Sequence, residues 1–350
     1  MMSNVVSIGL PRRPNLVQRQ TALLENFALH RRTQGDVFWL KENAEILNIL
    51  ASTGTGLGPK GLQVYRSFYD GLEEKMRFFP QYYRFLLSIC LDLEDLGYDG
   101  DKGKHLCAMV ERNNFVAAEL SDLQRAETQR LLRRRGIVTA DEELSQRLIR
   151  FIEHSEIFAL PNKKAAYELT HIVFYLSDYG NAPLTLSRAA LTSLEFAGVL
   201  AYLDQDIDLL SEICVALRFA GQTPSTIWED WLAHEVGGFV LAAAPAGAMN
   251  DAYHEYLVTS WWAGMTGMAG FQGQPQTGGL EIRRCNTARG PLRAISEVMY
   301  QLGTARSRDW TLMRGILERS LEASDHDILR DAEQSSPQFS EFFEEFARAY

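Results

Sequence analysis

Leu169-Thr170-His171-Ile172-Val173-Phe174-Tyr175-Leu176-Ser177-Asp178-Tyr179-Gly180-Asn181-Ala182-Pro183-Leu184-Thr185 decides the fold, because the chain carries a second version of it. At an offset of 41 stands Leu210-Ser211-Glu212-Ile213-Cys214-Val215-Ala216-Leu217-Arg218-Phe219-Ala220-Gly221-Gln222-Thr223-Pro224-Ser225-Thr226. Leu169, Ile172, Leu176, Gly180, Pro183 and Thr185 fall on identical residues, six in 17, and Thr170 falls on Ser211. Leu, Ile and Leu at spacings of three and four make one apolar stripe on a helix. Glycine then stops the helix, and proline three residues later prevents it from resuming. Both copies therefore predict a helix with a left-handed glycine just past its end.

The helices that follow also correspond. Glu195, Gly198 and Ala201 fall on Glu235, Gly238 and Leu241 at an offset of 40. A fainter third copy runs from Tyr253 to Gly264, with Glu255 over Glu212. Helix pairs recurring at about 40 residues predict an all-α chain of helical hairpin repeats, α/α barrel-like or an α-solenoid. Residues 143–330 form this repeat domain. Before it, helical periodicity from 21 to 136 predicts an N-terminal bundle region, preceded by a flexible arm over 1–20. After it, residues 331–350 form an amphipathic helix through Phe339, Phe342, Phe343, Phe346 and Tyr350. Strand alternation is absent before residue 280, and Leu280–Arg284 reads as one short strand.

Composition narrows the function classes. The 350 residues are 46% hydrophobic, enough for a substantial core. A net charge of −10 disfavours nucleic acid and anionic membranes, both of which reward clustered Lys and Arg. The longest uncharged stretch, from Tyr256 to Leu280, is interrupted by glycines and a proline and is not a membrane span. Cys90, Cys107, Cys214 and Cys285 form no C-x-x-C pair, which suits a reducing, cytoplasmic compartment. No secretory leader is read at the start: Met1 to Leu10 lacks a basic segment.

The first copy of the repeat also carries the chemistry. Opposite its apolar stripe, Lys164, Glu168, His171, Tyr175 and Asp178 project to one narrow face. Histidine, a phenol and carboxylates can exchange protons near neutral pH, which a plain solvated face does not require. His171 is the candidate proton carrier, oriented by Asp178, with Tyr175 in support. The structural alternative is a satisfied hydrogen-bond network at a helix interface. The repeat register sets His171 over Glu212, and His254 and Glu255 at the same place in the third copy. These residues would line one cavity in a barrel-like array, with Trp261 as an aromatic wall. Facing solvent at equivalent positions is the competing arrangement.

Other motifs are weaker. Glu168-x-x-His171 and Asp251-x-x-His254 have the i, i+3 spacing of di-iron carboxylate bundles. Such pairs alone supply too few ligands for a closed site, so no metal is expected and no cofactor is favoured. Gly56-x-Gly58-x-x-Gly61 follows a helix and not a strand, which argues against dinucleotide binding. His234-Glu235 lacks the second histidine of a zinc protease. Arg130 to Arg135 reads as a cationic helix C-terminus.

The string from Leu169 to Gly180 resembles a motif, L-T-H-x-x-F-Y-x-(S/T)-D-(F/Y)-G, of uncharacterised bacterial helical proteins. The resemblance covers roughly residues 160–265 and implies no activity. Two functions stay open on the sequence. One is an enzyme or small-molecule-binding protein with a polar cavity centred on His171. The other is a non-catalytic scaffold whose helical array holds a protein partner.

Overall fold

Side-chain caps start the helices that the periodicity predicts. Asn162 accepts a hydrogen bond from the Ala165 amide, Ser187 from Ala190 and Asp206 from Leu209, each satisfying an amide that the first turn leaves free. The computed structural model describes residues 14–349 except 55, 138–140, 245–250, 274, 276, 277 and 288. Residues 1–13 of the predicted arm and Tyr350 lie outside the described residues, and the end of that arm is not flexible chain but the start of a capped helix, Leu16–Asn26. About 70% of the structure is helical, with two short strands, so the chain is all-α.

Nine of the helices build the core and the site: α1 (Val37–Ser52), α2 (Tyr83–Asp95), α3 (Asp122–Arg133), α4 (Lys163–Leu176), α5 (Arg188–Asp204), α6 (Ile207–Phe219), α7 (Thr226–Glu235), α8 (Tyr253–Met265) and α9 (Phe339–Ala347). Helix α6 is central. Every residue from Ile207 to Leu217 is buried, and α4, α5, α7 and α8 pack around it. Helix α1 lies against α2 and α8, and α3 against α4. One continuous apolar core therefore joins the N-terminal helices to those after residue 143. Helix α9 buries Phe339, Phe342, Phe343 and Phe346; Phe342 meets Phe196 of α5, and Trp310 meets Phe339 and Phe343.

Gly180 (φ +85°) and Gly221 (φ +71°) both take the left-handed conformation just past α4 and α6. The correspondence between the two helix pairs ends sooner than their sequences suggest. Helix α5 spans 17 residues, whereas α7 spans 10. Gly238 lies in a 3-10 turn, and Leu241 lies in a strand, not a helix. This strand, β1 (Phe239–Ala243), contradicts the expectation of no strand before residue 280. It pairs antiparallel with β2 (Leu280–Arg284), Leu241 opposite Ile282. Phe-Val-Leu-Ala-Ala has no polar alternation, so periodicity cannot tell it from a buried helical turn; the ladder with β2 decides it.

Candidate functional site

The cavity that collects the candidate residues has a volume of about 480 Å³ and is walled by α1, α2, α3, α4, α6 and α8. His171 and Tyr175 enter it from α4, Glu212 from α6, and His254 and Trp261 from α8. Along α4 the polar stripe divides. Lys164 and Glu168 pair with each other near solvent, 4.0 Å apart, while one turn on the stripe turns inward. The His171 Nδ1 lies 2.6 Å from the Tyr167 carbonyl one turn back. A carbonyl only accepts, so Nδ1 is the donor in this contact.

Helix α4 closes at Ser177, and the next three residues all take positive φ: Asp178 at 46°, Tyr179 at 53° and Gly180 at 85°. Two non-glycine residues in this conformation cost about 1–2 kcal/mol each. Tertiary contacts hold them. Arg130 Nε donates to Asp178 Oδ1 at 2.8 Å, and its guanidinium lies 4.2 Å from the Tyr179 ring centre. Tyr179 in turn stacks on Trp261 at 5.7 Å. The strained turn thus delivers one aromatic wall of the cavity, completed by Phe174, whose ring centre lies 5.0 Å from that of Trp261.

This turn corrects one expectation. Asp178 does not orient His171. It lies beyond the helix in left-handed backbone, where a helical wheel no longer predicts direction, and its carboxylate binds Arg130 instead. Glu255 is a second correction. It lines the neighbouring cleft beside Asp251 and Arg284, not the cavity of His171. Equivalent repeat positions therefore diverge at the third copy, where His254 occupies the cavity and Glu255 does not.

The opposite wall is polar. Asp208 and Glu212 stand one turn apart on α6, and His254 faces them from α8. The His254 Nε2 is 3.2 Å from Asp208 Oδ1 and 4.0 Å from Glu212 Oε1, while Nδ1 is bonded to Glu45 of α1. Tyr167 donates its hydroxyl to Asp208 Oδ2 at 2.6 Å, and Thr170 donates to Glu212 Oε2 at 2.5 Å. Burial lifts the Glu212 carboxyl above the usual carboxylate range, while His171 and His254 oppose the shift. Burial works against the charge on His254, but Glu45 and Asp208 outweigh it and push the imidazole up to about 12. Burial raises the Tyr175 phenol well above its ordinary value, so it is a neutral donor.

Sequence reasoning passed over Glu45, Asp208, Tyr167, Thr170 and Arg130. Asp208 was within reach: Asp208 and Glu212 share a face at i, i+4 on an otherwise apolar helix. Glu45 and Arg130 were not, because they arrive from helices far away in the chain. Arg130 and Arg133 do stand in the last turn of α3, and Arg130, Arg134 and Arg135 also make ion pairs. They bind Asp178, Asp92 and Glu94 respectively, tying α3 to α2 and to the end of α4. Glu235 is bound by Arg284 and Asn286.

The model of one protein family, described as a domain of unknown function (DUF6902), matches residues 2–349, and the chain belongs to that family. No curated protein and no solved structure matches the chain. Among the described residues, no helix is long and apolar enough to cross a membrane.

Proposed function

We propose that this DUF6902 protein binds a small molecule in the cavity between α4, α6 and α8, and that His171 acts on it as a general base or acid. The observation that carries the reading is convergence. His171, Tyr175, Glu212, His254 and Trp261 line a single cavity of about 480 Å³, a volume within the roughly 300–1,000 Å³ of ordinary ligand pockets. One wall is aromatic, which suits a planar or apolar part of the ligand. The other wall is carboxylate and imidazole, which suits a polar or cationic part. The His171 ring is held in one orientation, as a proton carrier needs, with Nδ1 tied to the Tyr167 carbonyl. Tyr175 is placed as a donor, and Arg130 and Asp178 position the aromatic wall from behind. The helix pairs α4–α5 and α6–α7 are two copies of one unit in this reading, supported by the paired glycines and the shared apolar stripe. The unit sets His171 and Glu212 side by side.

The test is retention of ligand. The purified full chain is incubated with a cell metabolite extract, washed, denatured, and the released small molecules are identified by mass spectrometry. Val258 lines the cavity and is buried, so Val258→Phe fills it. A compound retained by the wild type and lost from Val258→Phe is the expected result. Retention of the same compounds by both proteins, or of none by the wild type, would overturn the reading and favour a scaffold.

A further inference from the structure

We infer that Asp208, Glu212 and His254 form a site for a first-row divalent metal ion in the wall of this cavity. The inference deepens the reading of the cavity as a ligand site, and rests on it for what the open coordination positions would face.

Each of the three residues has one polar atom fixed from behind and one turned to a common point. His254 Nδ1 is held by Glu45, Asp208 Oδ2 by the Tyr167 hydroxyl, and Glu212 Oε2 by the Thr170 hydroxyl. One ligand atom from each of the three residues lies within 4.8 Å of the other two. His254 Nε2 is 3.2 Å from Asp208 Oδ1 and 4.0 Å from Glu212 Oε1. Both distances fit inside the ~4.2 Å that two ligands can span across a metal with bonds of about 2.1 Å. A carboxylate on the far nitrogen of a histidine, and hydroxyls on the far oxygens of carboxylates, are the outer partners that orient metal ligands.

A plain ion pair leaves a gap in this account. Asp208 is 8% exposed, yet its Oδ1 makes no hydrogen bond. The 3.2 Å approach to His254 lacks hydrogen-bond geometry. A buried carboxylate oxygen that has an ion pair with His254 but no hydrogen bond is incompletely satisfied, and a cation at the common point would complete it. Metal binding would displace the Nε2 proton of His254 to solvent; two carboxylates and the resulting neutral imidazole carry a charge of −2, which a divalent ion cancels. The mixed oxygen and nitrogen set favours zinc, manganese or iron over calcium, which takes six to eight oxygens. Three protein ligands leave positions open toward the cavity, the arrangement of catalytic and not of structural sites.

This is not the ligand set that i, i+3 spacing suggests, and it reverses the expectation of no metal. Asp251 is engaged by Arg31 at 2.7 Å, and Glu168 stays with Lys164 near solvent. The ligands come instead from an i, i+4 pair on α6 and one histidine of α8.

Titration calorimetry of the chelator-treated full chain with Zn²⁺ and with Mn²⁺ tests the site. A Cys285→Ser background removes the exposed thiol as a competing ligand. One equivalent is expected to bind. Asp208→Asn and His254→Gln should each weaken binding by about 100-fold or more. Thr170→Val, which removes only an outer partner, should weaken it by about 10–100-fold, and Glu168→Gln should leave it unchanged. If the ligand variants fail to fold, pulsed electron paramagnetic resonance of the Mn²⁺-loaded wild type takes their place. Coupling to a single imidazole nitrogen is then expected. Failure of the wild type to bind either ion, binding that both ligand variants leave intact, or Mn²⁺ without imidazole coupling would overturn the site. Metal binding without metabolite retention would defeat the ligand reading and spare the metal site, and the converse result would do the reverse.

Discussion

His171 is where the functional reading is most exposed to test at the scale of a single residue. Its Nδ1 is engaged by the Tyr167 carbonyl, and its ring faces the cavity with Tyr175 one turn on. Glutamine keeps one donor and one acceptor, so His171→Gln should alter stability little while abolishing retention of the cavity ligand. Thermal melts beside the retention assay check this. A purely structural histidine would behave differently: stability would drop by about 1–3 kcal/mol through an imperfectly paired buried group, and retention would fall only in proportion to folded protein. Asp178 matters at the same scale in another way. It was placed beside His171 by helical projection and stands beside Arg130 because the helix has already ended.

The turn Asp178-Tyr179-Gly180 sets the relation between helix and cavity. Gly180 faces two constraints at once. Its φ of +85° penalises any side chain, and a Cβ there would lie 2.5 Å from Phe219 Cε1. Gly221 carries the same backbone constraint at +71°, but a Cβ there would meet nothing within 4 Å. Gly221→Ala should therefore cost about 1–2 kcal/mol from the backbone alone. Gly180→Ala should cost a further ~1–3 kcal/mol from overpacking. Urea unfolding of both variants measures the difference; equal losses would show that Phe219 yields freely. A shift of Tyr179 in Gly180→Ala would also disturb its stack on Trp261, and ligand retention should fall with it.

The whole molecule is held by one core to which both ends of the chain contribute. Helix α9 closes it against Phe196 and Trp310 with four buried phenylalanines, each worth on the order of 1.5–3 kcal/mol. Deleting residues 336–350 should lower the melting temperature and expose a surface that binds hydrophobic dyes. An unchanged melt and unchanged solubility would mean that the tail is dispensable. The cavity depends on the same integration. Glu45 and Arg130 come from helices before residue 136, and His171, Asp208, Glu212 and His254 from helices after residue 143, so neither half builds the site alone.

The sequence by itself determined that the chain is helical, that a left-handed glycine follows α4 and α6, and that α9 needs a surface to cover. These are local matters of apolar spacing, caps and glycine conformation, and each is written within about one helix length. It also marked His171, Tyr175, Glu212, His254 and Trp261, since unusual polar or aromatic side chains stand out against apolar helices. Only the tertiary structure decided the rest. The strand at Phe239 needed its partner forty residues away, because an apolar pentapeptide has no period of its own to read. Asp178 changed partner because a left-handed turn redirected it. Glu45 reached His254, and Arg130 reached Asp178, across sequence separations of 209 and 48 residues. Such contacts follow from how helices pack, and no local pattern of residues encodes that packing.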